Sequence, residues 1–366
     1  MHYLKNPISI TFELSNVCQA LCLGCSRTII DYDELKKLNT PVTIENVPVK
    51  SVFSGKDQVY LKLDALKNAL SPQFMKSVKD VYFIGTIDDP LAHPNLIEYI
   101  DWLITTHPSV YFCLHTNGGL QSPKYFKELA LVLKKHNNYK IWFSIDGLEN
   151  TNHYYRKRVQ WTKIMDNAKS FINAGGKAGW QYLIFPWNQH QVGEARQLAK
   201  QMGFFAFKER WNRVKYLNNN SFSWQEREKI EDKHNFQNPA EYEIHCGWAH
   251  DLKQYHVGHD GRLWPCCYLD NYRRIGLHEG DEGDVNWENR FAIYEDRWND
   301  LYTKTSDEIL KHRFFTEDLV DSWSSNKHGL DYKDRIYKCT TTCSKKQQLK
   351  QGTFVPASNT KKVIKL

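Results

Sequence analysis

Residues Lys140–Gly147 read KIWFSIDG, Trp161–Gly176 read WTKIMDNAKSFINAGG, and Trp180–Phe185 read WQYLIF. The first and third stretches are short and rich in β-branched and aromatic residues, the pattern of strands buried in a sheet. Between them, Ile164, Ala168, Phe171 and Ile172 recur at helical spacing, and Gly175-Gly176 is a suitable stop for the helix they define. A strand, a helix and a second strand in this order predict a right-handed crossover between parallel neighbours.

The alternation extends in both directions. Upstream lie a first strand at about Ile8 to Leu14, a helix near Leu61 to Leu70, the strand DVYFIG (Asp80 to Gly85), the helix NLIEYIDWLITTH entered through His93-Pro94, the strand VYFCLHTNG and the helix KYFKELALVLKKH. Downstream follow the helix QVGEARQLAKQMG and the strand FFAFKER. Six such units predict an α/β chain whose parallel sheet curls into a (β/α)6 partial barrel, with a flat doubly wound sheet as the alternative. Barrel sites assemble at the C-terminal ends of the strands. Those ends carry three cysteines after strand one, GTIDDP (Gly85 to Pro90) after strand two and HTNGG (His115 to Gly119) after strand three. Ser144 and Asp146 close strand four, FPWNQ (Phe185 to Gln189) follows strand five, and Lys208, Glu209 and Arg210 stand on strand six.

Beyond Arg213 the pattern breaks into a polar stretch. The expected division is a barrel over 1–213, a linker over 214–244, a small α+β cysteine-bearing domain over 245–350 and a basic tail over 351–366. Within the third segment, Asp260-Gly261 of YHVGHDGRLWPCC marks a hairpin turn. With 366 residues, 41% of them hydrophobic, the chain can bury a substantial core. No run approaches the roughly 20 apolar residues of a membrane span, and the start MHYLKNP lacks a secretory layout, so a cytoplasmic protein is expected. The net charge of +7 is dispersed and does not by itself imply nucleic acid.

Nine cysteines in a reducing compartment point to metal binding or catalysis rather than disulfides. Eight of them form three groups: Cys18, Cys22 and Cys25; Cys246 with Cys266 and Cys267; and Cys339 with Cys343. Three thiols in CQALCLGC, at C-x3-C-x2-C spacing, suit a cubane iron–sulfur cluster that keeps one iron open, whereas a tetrahedral zinc site wants a fourth ligand. Cys113 stands apart and shares strand parity with His115 and Asn117; as a thiol it is a hydrogen-atom donor candidate or a small core hydrophobe. Lys208 and Arg210 could hold an anionic group.

At CQALCLGC the chain resembles the radical S-adenosylmethionine (SAM) superfamily. The resemblance implies a [4Fe-4S] cluster on Cys18, Cys22 and Cys25 whose open iron chelates SAM. GTIDDP is similar to the family's glycine-acidic-proline loop, implying SAM contacts from Gly85 and Asp89, although Asp88 stands where relatives usually have glycine and Gly24 where many have an aromatic residue. TNGG and SIDG match the family's third and fourth strand ends, implying ribose and carboxylate contacts from Asn117, Ser144 and Asp146; Asn188 is a candidate of the same kind. The later cysteines resemble a Twitch domain, the half-length form of SPASM, implying an auxiliary [4Fe-4S] cluster on Cys246, Cys266, Cys339 and Cys343; a zinc knuckle is the alternative. Cys266 is preferred to Cys267 because it follows Pro265, as the family ligand does.

The resemblance implies an enzyme that cleaves SAM reductively and abstracts hydrogen, here in the oxidation or rearrangement of a small polar metabolite. A flavodoxin or ferredoxin is the expected electron donor. A peptide- or protein-modifying enzyme is the alternative substrate reading, and an iron–sulfur or zinc protein that binds nucleic acid is the alternative of another class.

Overall fold

A computed structural model of the chain describes residues 7–212, 242–270, 294–323, 339, 343–346 and 362–365. In chain order its main elements are β1 (Ser9–Phe12), α1 (Leu63–Ala69), β2 (Asp80–Phe83), α2 (Leu96–Thr106) and β3 (Tyr111–Thr116). There follow α3 (Pro123–Leu133), β4 (Tyr139–Ser144), α4 (Trp161–Asn173), β5 (Ala178–Ile184), α5 (Val192–Gln201) and β6 (Ala206–Trp211). After these come β7 (Gln254–Val257), β8 (Leu263–Trp264) and β9 (Lys362–Lys365). The chain divides into two compact units that interleave in sequence: Met1–Phe12, Leu61–Val81 and His234–Ala357 form one, and Glu13–Tyr60, Tyr82–Lys233 and Ser358–Leu366 form the other.

In the second unit, β3, β4, β5 and β6 lie side by side in chain order. All three pairings are parallel, with Leu114 opposite Ile141, Phe143 opposite Trp180 and Lys208 opposite Gln181. A doubly wound sheet reverses its strand order at a switch point. This one does not, so the helices wind in one direction, as in a partial barrel. One face of the sheet is aromatic: Phe112, Phe143, Trp180 and Phe207 are fully buried, and Phe143 packs against Phe126 of α3, Phe171 of α4 and Phe204. Helix α3 starts at Pro123 because Ser122, in extended conformation, accepts a hydrogen bond from Tyr125 N, and proline at the first helical position forfeits no bond. Helix α4 ends before Gly175, whose φ of +90° suits glycine.

In the first unit, β7 pairs antiparallel with β8 around the Asp260-Gly261 turn, with Gly261 at φ +78°, as its sequence predicts. The sequence did not indicate that β7 would also lie parallel to β1, Ser9 opposite Gln254 and Phe12 opposite Val257. Pairings between segments this remote leave no local signature. Phe12, Tyr255, Trp264, Trp298, Phe314 and Phe315 form the apolar core here, and Ser306 Oγ donates to Ala69 O at 2.7 Å to tie α1 to a short C-terminal helix, Ser306–Ile309. Positions 214–241 of the expected linker, and all of the expected tail except Lys362–Lys365, lie outside the described residues. Within the expected basic tail, Lys362–Lys365 is a strand antiparallel to β6; KVIK is four residues long and does not alternate, so it has no strand period to read in sequence.

Candidate functional site

The loop after β1 folds its three cysteines together. Cys25 N donates to Cys22 O at 3.0 Å, and Leu21 and Cys22 pair antiparallel with Lys157 and Arg156 in a two-residue ladder. Each thiol also meets a polar group from a distant segment. Asn117 Nδ2 lies 3.6 Å from Cys18 Sγ, Arg156 Nη1 lies 3.8 Å from Cys22 Sγ, and Cys25 Sγ lies 3.6 Å from Thr86 O. Burial raises the proton affinity of all three, that of Cys22 to about 12, and neighbouring thiols add to it for Cys18 and Cys22. Such thiols keep their protons unless a metal displaces them. Three soft donors on one loop, with N–H groups from an amide and a guanidinium directed at two sulfurs, fit an iron–sulfur cluster with three protein ligands.

The loop after β2 is built around carboxylates. Glu13 accepts from Thr86 N at 2.9 Å and Ile87 N at 2.6 Å, and Asp88 Oδ2 accepts from Leu14 N and Ser15 N, each at 2.9 Å. Asp88 Oδ1 has no hydrogen-bond partner among the described residues and occupies the space beside Gly85, where an added Cβ would stand 1.5 Å from it. Gly85 is therefore required by Asp88. Burial, then Glu13 and Asp89, push the Asp88 carboxyl well above the usual range. Asp89 is 3% exposed and its oxygens accept from Leu91 N, Thr116 Oγ1 and, at 2.8 Å, Asn117 N, so its carboxylate fixes the turn that presents Asn117. Asn117 in turn accepts from Gln19 Nε2 at 2.7 Å.

Asp146 and Asn188 are likewise engaged by the chain. Asp146 Oδ2 pairs with Arg156 Nε at 2.7 Å, and its Oδ1 accepts from Leu183 N. Burial pushes the Asp146 carboxyl up while Arg156 pulls it down, and the Arg156 guanidinium holds its proton more firmly for the same pairing. Asn188 accepts from Phe185 N and donates to Asp146 O and Leu183 O, so it shapes the loop after β5. The structure thus joins Cys18 to Asn117 and Asp89, joins Cys22 to Arg156 and Asp146, and sets Cys25 beside Thr86, which Glu13 holds; Arg156, Gln19 and Glu13 are additions that sequence reasoning missed. Arg156 had a signal of a kind: it is the sole arginine in the HYYRK stretch just after SIDG, but no spacing rule ties it to a cysteine 134 positions away.

The remaining sheet residues divide by parity. Cys113 packs with Trp142 and Ala206, against Tyr82, Tyr111 and Phe205, as a core hydrophobe. His115, Ser144, Gln181, Lys208 and Arg210 lie on the same face, opposite the aromatic one; burial, then Lys208 and Arg210, lower His115 to about 3, leaving it neutral.

In the first unit, the Cys339 and Cys343 thiols both feel Cys246 and Cys266, and Cys343 and Cys246 are hydrogen-bonded. Burial is the largest cause raising Cys339, and the bond to Cys246 the largest for Cys343. Cys267, although buried, is not among the groups acting on either. Four thiols, two of which feel the other pair, are the donor set of a four-thiolate metal or cluster site. Among the described residues no helix is long and apolar enough to cross a membrane.

No protein-family model matches the chain, and no curated protein does. Several solved structures are similar in part. One is SuiB of Streptococcus suis, at 14% identity and TM-score 0.47, covering 76% of this chain and 65% of that one. The same protein bound to S-adenosylmethionine has 15% identity and TM-score 0.47, with 91% and 77% covered. A His-tagged anSMEcpe with bound AdoMet has 16% identity and TM-score 0.46, with 85% and 80% covered.

Proposed function

We propose that this chain is a radical SAM enzyme. The observation that carries the reading is the placing of Cys18, Cys22 and Cys25 on one partly buried loop, with Asn117 directing an N–H group at the Cys18 sulfur and Arg156 one at the Cys22 sulfur. These three cysteines would hold a [4Fe-4S] cluster, which with bound SAM would supply radical hydrogen-abstraction chemistry. The chain's own part is positional. Arg156 places positive charge beside Cys22 and is itself fixed by Asp146; Asp89 and Gln19 fix Asn117; Ser144 offers a hydroxyl on the same strand ends. Gly85 and Asn188 maintain the backbone of two rim loops rather than offering free polar groups. Cys246, Cys266, Cys339 and Cys343 would hold a second cluster, to which four protein thiolates would give electron transfer rather than substrate binding as its chemistry. The substrate is a small polar metabolite, and a flavodoxin- or ferredoxin-type donor supplies the electron.

The test is anaerobic reconstitution followed by a strong reductant. Release of 5′-deoxyadenosine and methionine is expected without added substrate. A protein that carries its full iron and sulfide yet releases neither would overturn the reading.

A further inference from the structure

We propose that the face formed by His115, Trp142, Gln181, Lys208 and Arg210 binds the substrate through an anionic group, carboxylate or phosphate, carried beside an N–H or O–H donor. This deepens the function proposed above by naming the substrate class. The strand register sets Ser144, Gln181 and Lys208 side by side across β4, β5 and β6. One step toward the N-terminal end of the strands, Trp142 stands next to Gly179, and its ring fills the space a side chain there would need, since an added Cβ would come within 2.7 Å of it. The indole is thus a flat floor. Lys208 Nζ stands over the ring, 5.1 Å from its centroid, and the His115 ring centroid is 6.4 Å from it.

Gln181 is the informative residue. It is 9% exposed, and its Oε1 is buried with no hydrogen-bond partner among the described residues. An amide oxygen desolvated without a donor is destabilising, and an apolar residue of similar size would avoid the cost. A ligand N–H or O–H would satisfy it. Lys208 and Arg210 both act on the neutral His115 ring, so two cations converge on this face. Glu209, between them in sequence, projects from the other face and is bound there by Arg196, its Oε1 3.1 Å from Arg196 Nε. Two cations, a neutral imidazole and an unpaired acceptor above an aromatic floor match a ligand such as a hydroxy acid, an amino acid or a phosphomonoester.

The probes are sodium phosphate, glycolate and acetate, titrated calorimetrically into the full chain at an ionic strength held constant with chloride. Saturable binding of phosphate or of the carboxylates is expected, and which of them binds more tightly names the anion. Glycolate, with its adjacent hydroxyl, should bind more tightly than acetate, and Gln181→Leu should erase that difference while leaving the melting temperature unchanged or raised. Lys208→Gln and Arg210→Gln should each weaken binding at least tenfold, with Lys208→Arg largely restoring it. Should a variant fail to fold, the His115 imidazole resonances of the wild type provide the readout: they shift on saturation if the inference holds and stay fixed if it does not. Binding no stronger than that of chloride, or binding indifferent to Lys208 and Arg210, overturns it. The measurement needs no SAM cleavage, so anion binding without deoxyadenosine release would discard the proposed function alone, and release without anion binding would discard this inference alone.

Discussion

Arg156, its side chain 12% exposed, stands between a fully buried acid and a thiol, 2.7 Å from Asp146 and 3.8 Å from Cys22. Removing one partner of a buried pair strands the other charge, so Arg156→Met should cost about 3–5 kcal/mol in denaturant unfolding, and adding Asp146→Leu should recover much of it. Recovery of nothing would mean that Arg156 stabilises the loop through Cys22 alone. Asp88 offers a second test. Its carboxyl binds a proton more tightly in the folded chain than in the unfolded one, so its contribution is present in acid and is lost as pH rises above about 4. Asp88→Asn, close in shape to the protonated acid, should remove that part of the slope, and unfolding free energies measured across pH 4 to 7 decide it. At this scale the sequence was partly legible. Thiol spacing announces itself because one loop carries all three cysteines, whereas the donors to the Cys18 and Cys22 sulfurs come from segments 99 and 134 positions away.

The helices and strands of the second unit were read closely because each carries its own signal. Trp161–Asn173 was marked by its apolar stripe and glycine stop, Pro123–Leu133 by its amphipathic spacing, and Tyr139–Ser144 by its aromatic and β-branched content. The weights of local and packing terms can be compared directly. Ser122→Ala removes one cap and should cost about 1 kcal/mol. Phe143→Ala, which empties the space between Phe126, Phe171 and Phe204, should cost about 3–5 kcal/mol. Equal losses in calorimetric or denaturant unfolding would show that packing at this face had relaxed around the cavity. The short ladder between Leu21–Cys22 and Arg156–Lys157 was not legible, since two-residue strands have no periodicity to read.

For the molecule as a whole, metal content is the decisive number. About eight iron and eight sulfide per chain are expected after anaerobic reconstitution, and replacing Cys18, Cys22 and Cys25 with alanine should halve both. Zinc with no more than about four iron would instead assign the later four cysteines to a zinc site. The α/β class and the one-way winding of the sheet were visible in the alternation of elements, but the pairing of β1 with β7 was not. Thr11 and Gln254 are hydrogen-bonded although 243 positions apart, and only tertiary packing brings such segments together. The grouping of Cys246 and Cys266 with Cys339 and Cys343 bears on how the chain is made. About 70 residues separate Cys266 from Cys339, and a bridge across a loop of that size withholds about 4 kcal/mol of chain entropy from the unfolded state. A metal or cluster held by these thiols would therefore close that stretch like a clasp, and protein freed of it should be cut sooner by added protease than protein that carries it.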